Sequence, residues 1–595
     1  MSDAKELWHY YELGRRFNQS LSPDQYTVVH TNTEFFHGNQ WIHMANNDAM
    51  KRLAKPVFNI IKRVATLFVA SLTSSSTTIS FSPLSCHDDP EAAEFATAEV
   101  RNLLEKFKFE YQIRDALFDG AITGDYAAHF FWDPDAKPYG GAFGEFRGEI
   151  EMELVDGINV MFGNPNITDV ERQPYVIVAG RDTVENLKRE AQRYSAETDA
   201  DAIRPDAEHN DFDGYGARYE PGDNDRTGKA LYIYFYEKVG TGGDATVHVS
   251  KLTRDCMIFE DIDTGLSRYP IAWGNWQKQK NRYHGRALVT EIIPNQIFIN
   301  QMMAMVFRHL QTQAFPTKIF NADLLPNYSN EVGTAIGIRN LLPGQTPGDI
   351  ITTLPAADMS NQIMQAIDTT MSYTKECLGA TEAQLGNTQA TNTSAIMVLQ
   401  NTSEVPLENI RSGLHAWVED IGAILLDMMG TYYGIRPVVR RKTFQSPVIG
   451  ANGQPVFDAA AMQYTMQPQE RTVIEPYDFR VFKNLWLNIS ADVGATTYYS
   501  EIAMVQTLDN LRKDGFLTPE QYLERVPDKL IPKKQELLEE LRAAGGMTQP
   551  GGSAASGGGF TMGAEIDADK QIGNLPGRIQ GAYNDLPNAA KKALF

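Results

Sequence analysis

Residues able to do chemistry are present in this chain, yet few stand at spacings that chemistry uses. His37 and His43 are six apart, with no carboxylate or cysteine at metal-ligand spacing, so both read as satisfied or exposed imidazoles. The three cysteines, Cys86, Cys256 and Cys377, form no CxxC pair, which points to neither a disulfide framework nor a zinc site and suits a reducing cytoplasm. Glu260, Asp261, Asp263 and Gly265 resemble the start of a calcium loop. The glycine comes one position early and the closing glutamate is missing, so a hairpin turn is expected instead. No GxxxxGK[ST], HExxH or GxSxG motif occurs, and no carboxylate pair singles out a two-metal site. The expectation is therefore a protein without catalytic residues, metal or cofactor.

Two polar features remain. Arg436, Arg440, Arg441 and Lys442 form the one dense basic cluster, readable as a solvated strand edge or as a contact for DNA or a partner. Amides collect in two places. Gln296, Asn300, Gln301, Gln311 and Gln313 lie along one helical pattern whose only full charge between Ile292 and Leu310 is Arg308. The stretch 379–393 carries Gln384, Asn387, Thr388, Gln389, Thr391 and Asn392 with Glu382 as its one charge. Over the whole chain, 54 basic against 75 acidic residues give a net charge of −21, which repels a polyanion and excludes tight wrapping of nucleic acid.

The elements that must position these residues form an α+β pattern. At 595 residues the chain exceeds a single core, and 42% apolar content supplies several. The N-terminus lacks the basic start, apolar stretch and cleavage site of a signal peptide, and the most membrane-like run, Val64 to Leu72, is too short to span a bilayer and reads as a buried helix. Residues 1 to about 130 are expected to be mainly helical, with Val57, Ile60, Ile61, Val64, Leu67 and Phe68 at helical spacing. From about 145 to 275 alternation predicts strands, as in Ile150 to Leu154, Tyr175 to Val178 and Leu231 to Tyr236. Between them 197–226 holds ten acidic and three basic residues and reads as a solvated insertion. A helix over Arg286 to Gln313, about 40 Å long, carries Pro294 as a possible kink, and its apolar stripe of Ile297, Met303, Val306, Phe307 and Leu310 suits subunit packing or a core. Turn signals and a short β run follow to Pro355, then a helix over Ala356 to Leu378, the polar loop, and a helix from Ser394 to about Met429. Strands are expected around Phe479 to Ile489, helices from Tyr498 to Ala544, and a flexible Gly-rich tail over 546–595.

This order, with its local motifs, resembles the portal proteins of tailed double-stranded DNA bacteriophages. The motifs are Trp8 to Tyr11 with Phe35-Phe36-His37-Gly38-Asn39-Gln40-Trp41; Val160 to Asn166 leading through Asp169 to Tyr175-Val176-Ile177; Tyr269-Pro270-Ile271, Trp276 and Tyr283-His284-Gly285 opening the long helix with Gln296 and Asn300; and Gly379-Ala380-Thr381 through Leu385-Gly386 to Thr393-Ser394-Ala395. The resemblance implies a wing over 1–285 and 394–497, stem helices at 286–314 and 356–378, a small α/β clip at 315–355, a tunnel loop at 379–393, a helical crown at 498–545 and the tail beyond. It implies a ring, usually of twelve copies, at one capsid vertex, through which DNA is packaged and ejected without sequence specificity. Its partners would be the terminase large subunit, the major capsid and scaffold proteins, and a head-completion, adaptor or tail protein, with no membrane. The virion, after assembly in the host cytoplasm, is the expected location. Gln296, Asn300, Gln311, Glu382, Gln384, Asn387, Gln389 and Asn392 would then line the channel, since uncharged or acidic walls avoid the summed phosphate contacts that would hold a duplex fast. Another head-tail adaptor or tail component, or a DNA-processing enzyme, is the alternative.

Overall fold

The computed structural model describes residues 4–42, 54–73, 77–84, 90–137, 147–194, 200–206, 228–240, 242–313, 317–320, 351–354, 361–377, 407–447, 457–458, 463–464, 466–485 and 487–492, with short pieces between 343 and 348 and between 508 and 534. The chain divides into two units, Met1–Ser500 and Glu501–Phe595.

Among the described residues the first unit opens with the helices α1 (Ala4–Ser20), α2 (Gln25–His37), α3 (Ile60–Leu72), α4 (Pro90–Lys106) and α5 (Phe109–Thr123), with a short strand β1 (Thr78–Pro83) before α4. In α3 the residues at three- and four-residue steps, Ile61, Val64, Ala65, Phe68 and Leu72, are the buried ones, and Asn59 caps its start by accepting from the Lys62 N–H at 2.9 Å. The membrane-like run is thus a core helix. Among the described residues no helix is long and apolar enough to cross a membrane.

The expected helical region also holds β1 and the strand β2 (Asp125–Asp133), neither of which was foreseen. Residues 125–130 of β2 are all buried, so no polar alternation marks it. It is the centre of a three-stranded antiparallel sheet in the order β3 (Glu149–Val155), β2, β9 (Ile271–Asn275). A five-stranded antiparallel sheet runs β4 (Val160–Phe162), β5 (Tyr175–Thr183), β6 (Lys229–Val239), β7 (Thr246–Leu252), β8 (Met257–Leu266), with helix α6 (Val184–Tyr194) following β5. Glu260, Asp261 and Asp263 lie within β8, where the register against β7 is irregular and Asp261 has φ 48°, so the expected hairpin turn is a bulged strand. Of the acidic insertion, 200–206 is described and the rest of it lies largely outside the described residues.

Helix α7 (Leu288–Gln313) contains Pro294 and leads to a two-stranded ribbon, β10 (Thr317–Phe320) against β11 (Ile351–Leu354), then helix α8 (Asn361–Cys377), which packs on α7. Helix α9 (Glu408–Tyr432) returns to the body with Leu414, Trp417, Val418, Ile421, Leu425 and Met429 buried. Next come a ribbon of β12 (Ile435–Pro447) and β15 (Met466–Asp478), with a minor hairpin of β13 (Phe457–Asp458) and β14 (Gln463–Tyr464) between them, and β16 (Leu487–Asp492), which pairs with β1. The strand expected from Phe479 begins instead as a 3-10 turn, Phe479–Asn484, because Phe479 and Phe482, three apart, both enter one aromatic cluster with Phe95 and Tyr477. One large core joins α2 to α5, β2, β9, α7 and α9, and a smaller one seats Leu7, Trp8 and Tyr11 of α1 on Met161, Ile177 and Ile233.

In the second unit the described helix α10 (Pro519–Arg525) is tied by the Tyr522 hydroxyl, which donates to Asp509 at 2.6 Å. Most of the expected crown and all of the Gly-rich tail lie outside the described residues.

Candidate functional site

The motif residues Tyr283-His284-Gly285 sit immediately before α7, and their burial explains their types. The His284 ring is fully buried; its Nδ1 lies 2.6 Å from the carboxylate of Asp125 and its Nε2 2.8 Å from Asn18 Oδ1. Asp125, at the start of β2, also accepts from the Gly285 N–H at 2.6 Å and from Asn275 Nδ2 at 2.7 Å. Asn275 reaches on to the Tyr283 carbonyl at 2.8 Å, and the Tyr283 hydroxyl donates to Asn18 at 3.2 Å. Burial, then the nearby Asp125 charge, pushes the Tyr283 phenol well above its ordinary range, so it remains a donor. Glycine is required here twice. A side chain on Gly124, which closes α5 at φ 102°, would meet the Gly285 carbonyl at 2.9 Å, and one on Gly285 would meet the Gly124 carbonyl at 2.6 Å.

An aspartate-imidazole pair is also what a general base uses, but here Asp125 is 1% and His284 0% exposed, beyond the reach of a substrate atom. The arrangement is a clamp. It fastens the root of α7 to α1, β2 and β9 through charge-assisted bonds in a low-dielectric interior, where such bonds are strongest.

A second clamp lies two to four turns along the same helix. Gln296 donates to the Phe58 carbonyl at 2.8 Å and to Asn300 Oδ1 at 3.0 Å, and accepts from the Ile60 N–H at 3.0 Å. Asn300 donates to Gln40 Oε1 at 2.7 Å, Gln40 donates to the Phe35 carbonyl at 3.0 Å, and the Trp41 indole N–H reaches the Pro56 carbonyl at 3.2 Å. Gln296 and Asn300 are therefore inside the subunit, at 0% and 1% exposure, and not on a channel wall as expected. Being four apart they share one helix face, and that face meets the N-terminal segment. Pro294, lacking an N–H, removes one helix bond between the two clamps.

Past Asn300 the helix emerges. Gln311 is exposed, as are Met305 and Leu310, and the same holds for Ile319 on β10 and Met364 and Tyr373 on α8. Of the expected apolar stripe, Val306 is buried, Ile297, Met303 and Phe307 are half-buried and Leu310 is open. Glu382, Gln384, Asn387, Gln389 and Asn392 lie outside the described residues.

The basic cluster divides. Arg436, expected on a solvated strand edge or as a contact for DNA or a partner, is instead 4% exposed: its guanidinium donates to the Gly148 carbonyl at 3.0 Å and stands 4.1 Å from the Tyr433 ring centre and 5.5 Å from that of Trp132. It is an internal tie between β12 and the β2–β3 hairpin. Arg440, Arg441 and Lys442 are on β12, opposite Val473, Thr472 and Arg471. Among the described residues no group of three or more His, Cys, Asp or Glu is placed to hold a metal ion.

Sequence reading missed Asp125 and Asn18. The available signal was an aspartate directly after Gly124 at the head of the apolar run Tyr-Ala-Ala-His-Phe-Phe, where a buried charge needs a partner. Nearby on α5, Asp119 is pushed up to about 7 by burial first, then by the charges of Asp156 and Asp115.

With this geometry in view, residues 226–469 match the family described as Phage P22-like portal protein. The match runs from β6 through α7, the β10–β11 ribbon, α8 and α9 into β15. No curated protein matches the chain.

Proposed function

We propose that this chain, a phage portal protein by its family match, closes into a ring at one capsid vertex and serves as the conduit for double-stranded DNA during packaging and ejection. The observation that carries the reading is the match over 226–469, which spans the succession of helix, ribbon, helix and returning helix. In this reading α7 and α8 are the stem, the β10–β11 ribbon belongs to the clip, and residues 379–393 form the tunnel loop. Two features support it physically. The root of α7 is clamped into the body by two buried polar networks, while its outer half and α8 leave Met305, Leu310, Met364 and Tyr373 uncovered, as subunits that pack side by side require. The net charge of −21 disfavours lasting phosphate contact, which a conduit must avoid. Gln311, Glu382, Gln384, Asn387, Gln389 and Asn392 remain the proposed lining; Gln296 and Asn300 do not.

The clip would dock the terminase motor during packaging and a head-completion, adaptor or tail protein afterwards, with capsid and scaffold proteins around the wing. The chemistry of passage belongs to the motor, and this chain acts as a mechanical part. Electron microscopy of the purified protein, with light-scattering mass on the same sample, tests the reading. Rings with a central hole and a mass near twelve copies of 66.5 kDa, about 0.8 MDa, are expected. A chain that stays monomeric even with its capsid and scaffold proteins present would end it.

A further inference from the structure

Helix α7 is buried on one side and open on the other. Ile292, Gln296, Ile299 and Asn300 are buried against the body. At about 100° per residue, Pro294, Phe298 and Met305 lie about 160–200° round the helix from Gln296. Pro294 is exposed, Phe298 is half-buried and Met305 is 47% exposed, so an apolar row runs uncovered along that side, with Gln301 as its polar member. Glu291 is exposed on the same side and lies 3.2 Å from Arg286.

The segment clamped onto the buried side presents a second apolar patch, at the level of Gln296. Val57 and Phe58 are 39% and 44% exposed, yet the backbone beneath them is fixed. Gln296 holds the Phe58 carbonyl at 2.8 Å and the Ile60 N–H at 3.0 Å, and Asn59 donates to the Phe36 carbonyl at 2.9 Å. The bond from the Trp41 indole to the Pro56 carbonyl joins the stretches that carry exposed Ile42 and exposed Val57. A backbone already ordered while its apolar side chains stand in water loses little further entropy when a partner covers them. Lys55, Lys62 and Arg63 flank the patch, all exposed, and among the described residues none has a carboxylate within 4 Å. On a molecule of net charge −21, a carboxylate-free group of three cations finds opposite charge over most of the surface of another copy.

Two apolar surfaces on opposite sides of one helix suit a head-to-tail contact around a closed ring, in which each copy offers one surface to each neighbour. We propose that the patch of Ile42, Val57 and Phe58 on one copy packs against the row of Pro294, Phe298 and Met305 on α7 of the next, with Lys55, Lys62 and Arg63 facing the side that carries Glu291. The inference rests on the ring reading and names the surfaces by which the ring closes. Both surfaces are open in the single subunit, so circular dichroism and urea unfolding of single variants should match the parent. In the full-length protein, Phe58→Glu alone and Met305→Lys alone should each raise the concentration at which rings form by about tenfold or more, read by light-scattering mass. Both changes in one chain set opposite charges against each other at every junction, and assembly should return to within about threefold of the parent. Where a charge disturbs the fold, Phe58→Ser and Met305→Ser make the same test of assembly. Asp201→Asn, on an exposed side chain away from both surfaces, should leave assembly unchanged. Rings from the single variants at the parent's concentration, or a combined variant no better than the worse single one, would overturn the proposal and leave the conduit reading standing. A parent that forms no ring even with capsid and scaffold proteins would end both.

Discussion

At the scale of single residues, Asp125 and His284 make the sharpest prediction. Replacing His284 by alanine leaves a buried carboxylate without its imidazole, and such a loss costs about 3–5 kcal/mol. Deleting the exposed Arg189–Glu185 pair should change stability by less than about 0.5 kcal/mol. Urea unfolding of the two variants beside the parent measures the contrast, and a His284→Ala variant within about 1 kcal/mol of the parent would remove the clamp. Asp119 predicts a pH dependence. Its folded pKa, about 7, lies above the ordinary carboxylate value, so its contribution to stability is complete below about pH 4 and is lost as pH rises through 7. Asp119→Asn should therefore melt higher than the parent at pH 8 and at nearly the same temperature near pH 4. Little of this was legible in advance. His284, Gln296 and Asn300 stood out, but their partners Asp125, Asn18 and Gln40 lie 159, 266 and 260 residues away. An amide on a helix reads the same whether it is wet or latched, and only the face it shares with Phe58 and Gln40 decides.

At the scale of elements, legibility followed periodicity. The 3.6-residue pattern placed α7 within a few residues of its observed ends and picked out Ile61, Val64 and Phe68 on the buried face of α3, and alternation placed β3, β5 and β6. It failed where burial is uniform or irregular: β2 is covered on both faces and shows no alternation, and the Phe479–Asn484 turn packs aromatics at a spacing of three. Helix α7 itself joins two regimes, a clamped root and an emergent outer half. In an isolated subunit, amides over 303–313 should exchange with deuterium about tenfold faster or more than those over 289–300, and assembly should narrow the gap. Mass spectrometry of exchange on both samples decides it; equal rates in the free subunit would show that the outer half needs no neighbour.

At the scale of the whole molecule, the charge balance of −21 predicts indifference to DNA. A labelled 30-base-pair duplex should show no saturable binding near 150 mM salt, and any binding at low salt should have a shallow salt slope, about two phosphates or fewer. A slope of six or more would mean that the free surface grips DNA and that passage needs another explanation. Composition made this much legible, whereas the long-range joins were not. The pairing of β1 with β16, Thr78 opposite Asp492 to Pro83 opposite Leu487, unites the first and last described strands of the large unit across about 400 residues. On the ribosome, at roughly 5–20 residues per second, Ile79 and Phe81 wait something like 20–80 s for their partner strand to be made. Through that interval an edge destined for the interior stands open, so the nascent chain's solubility before release depends on what covers β1, and truncations that stop short of β16 should aggregate rather than fold.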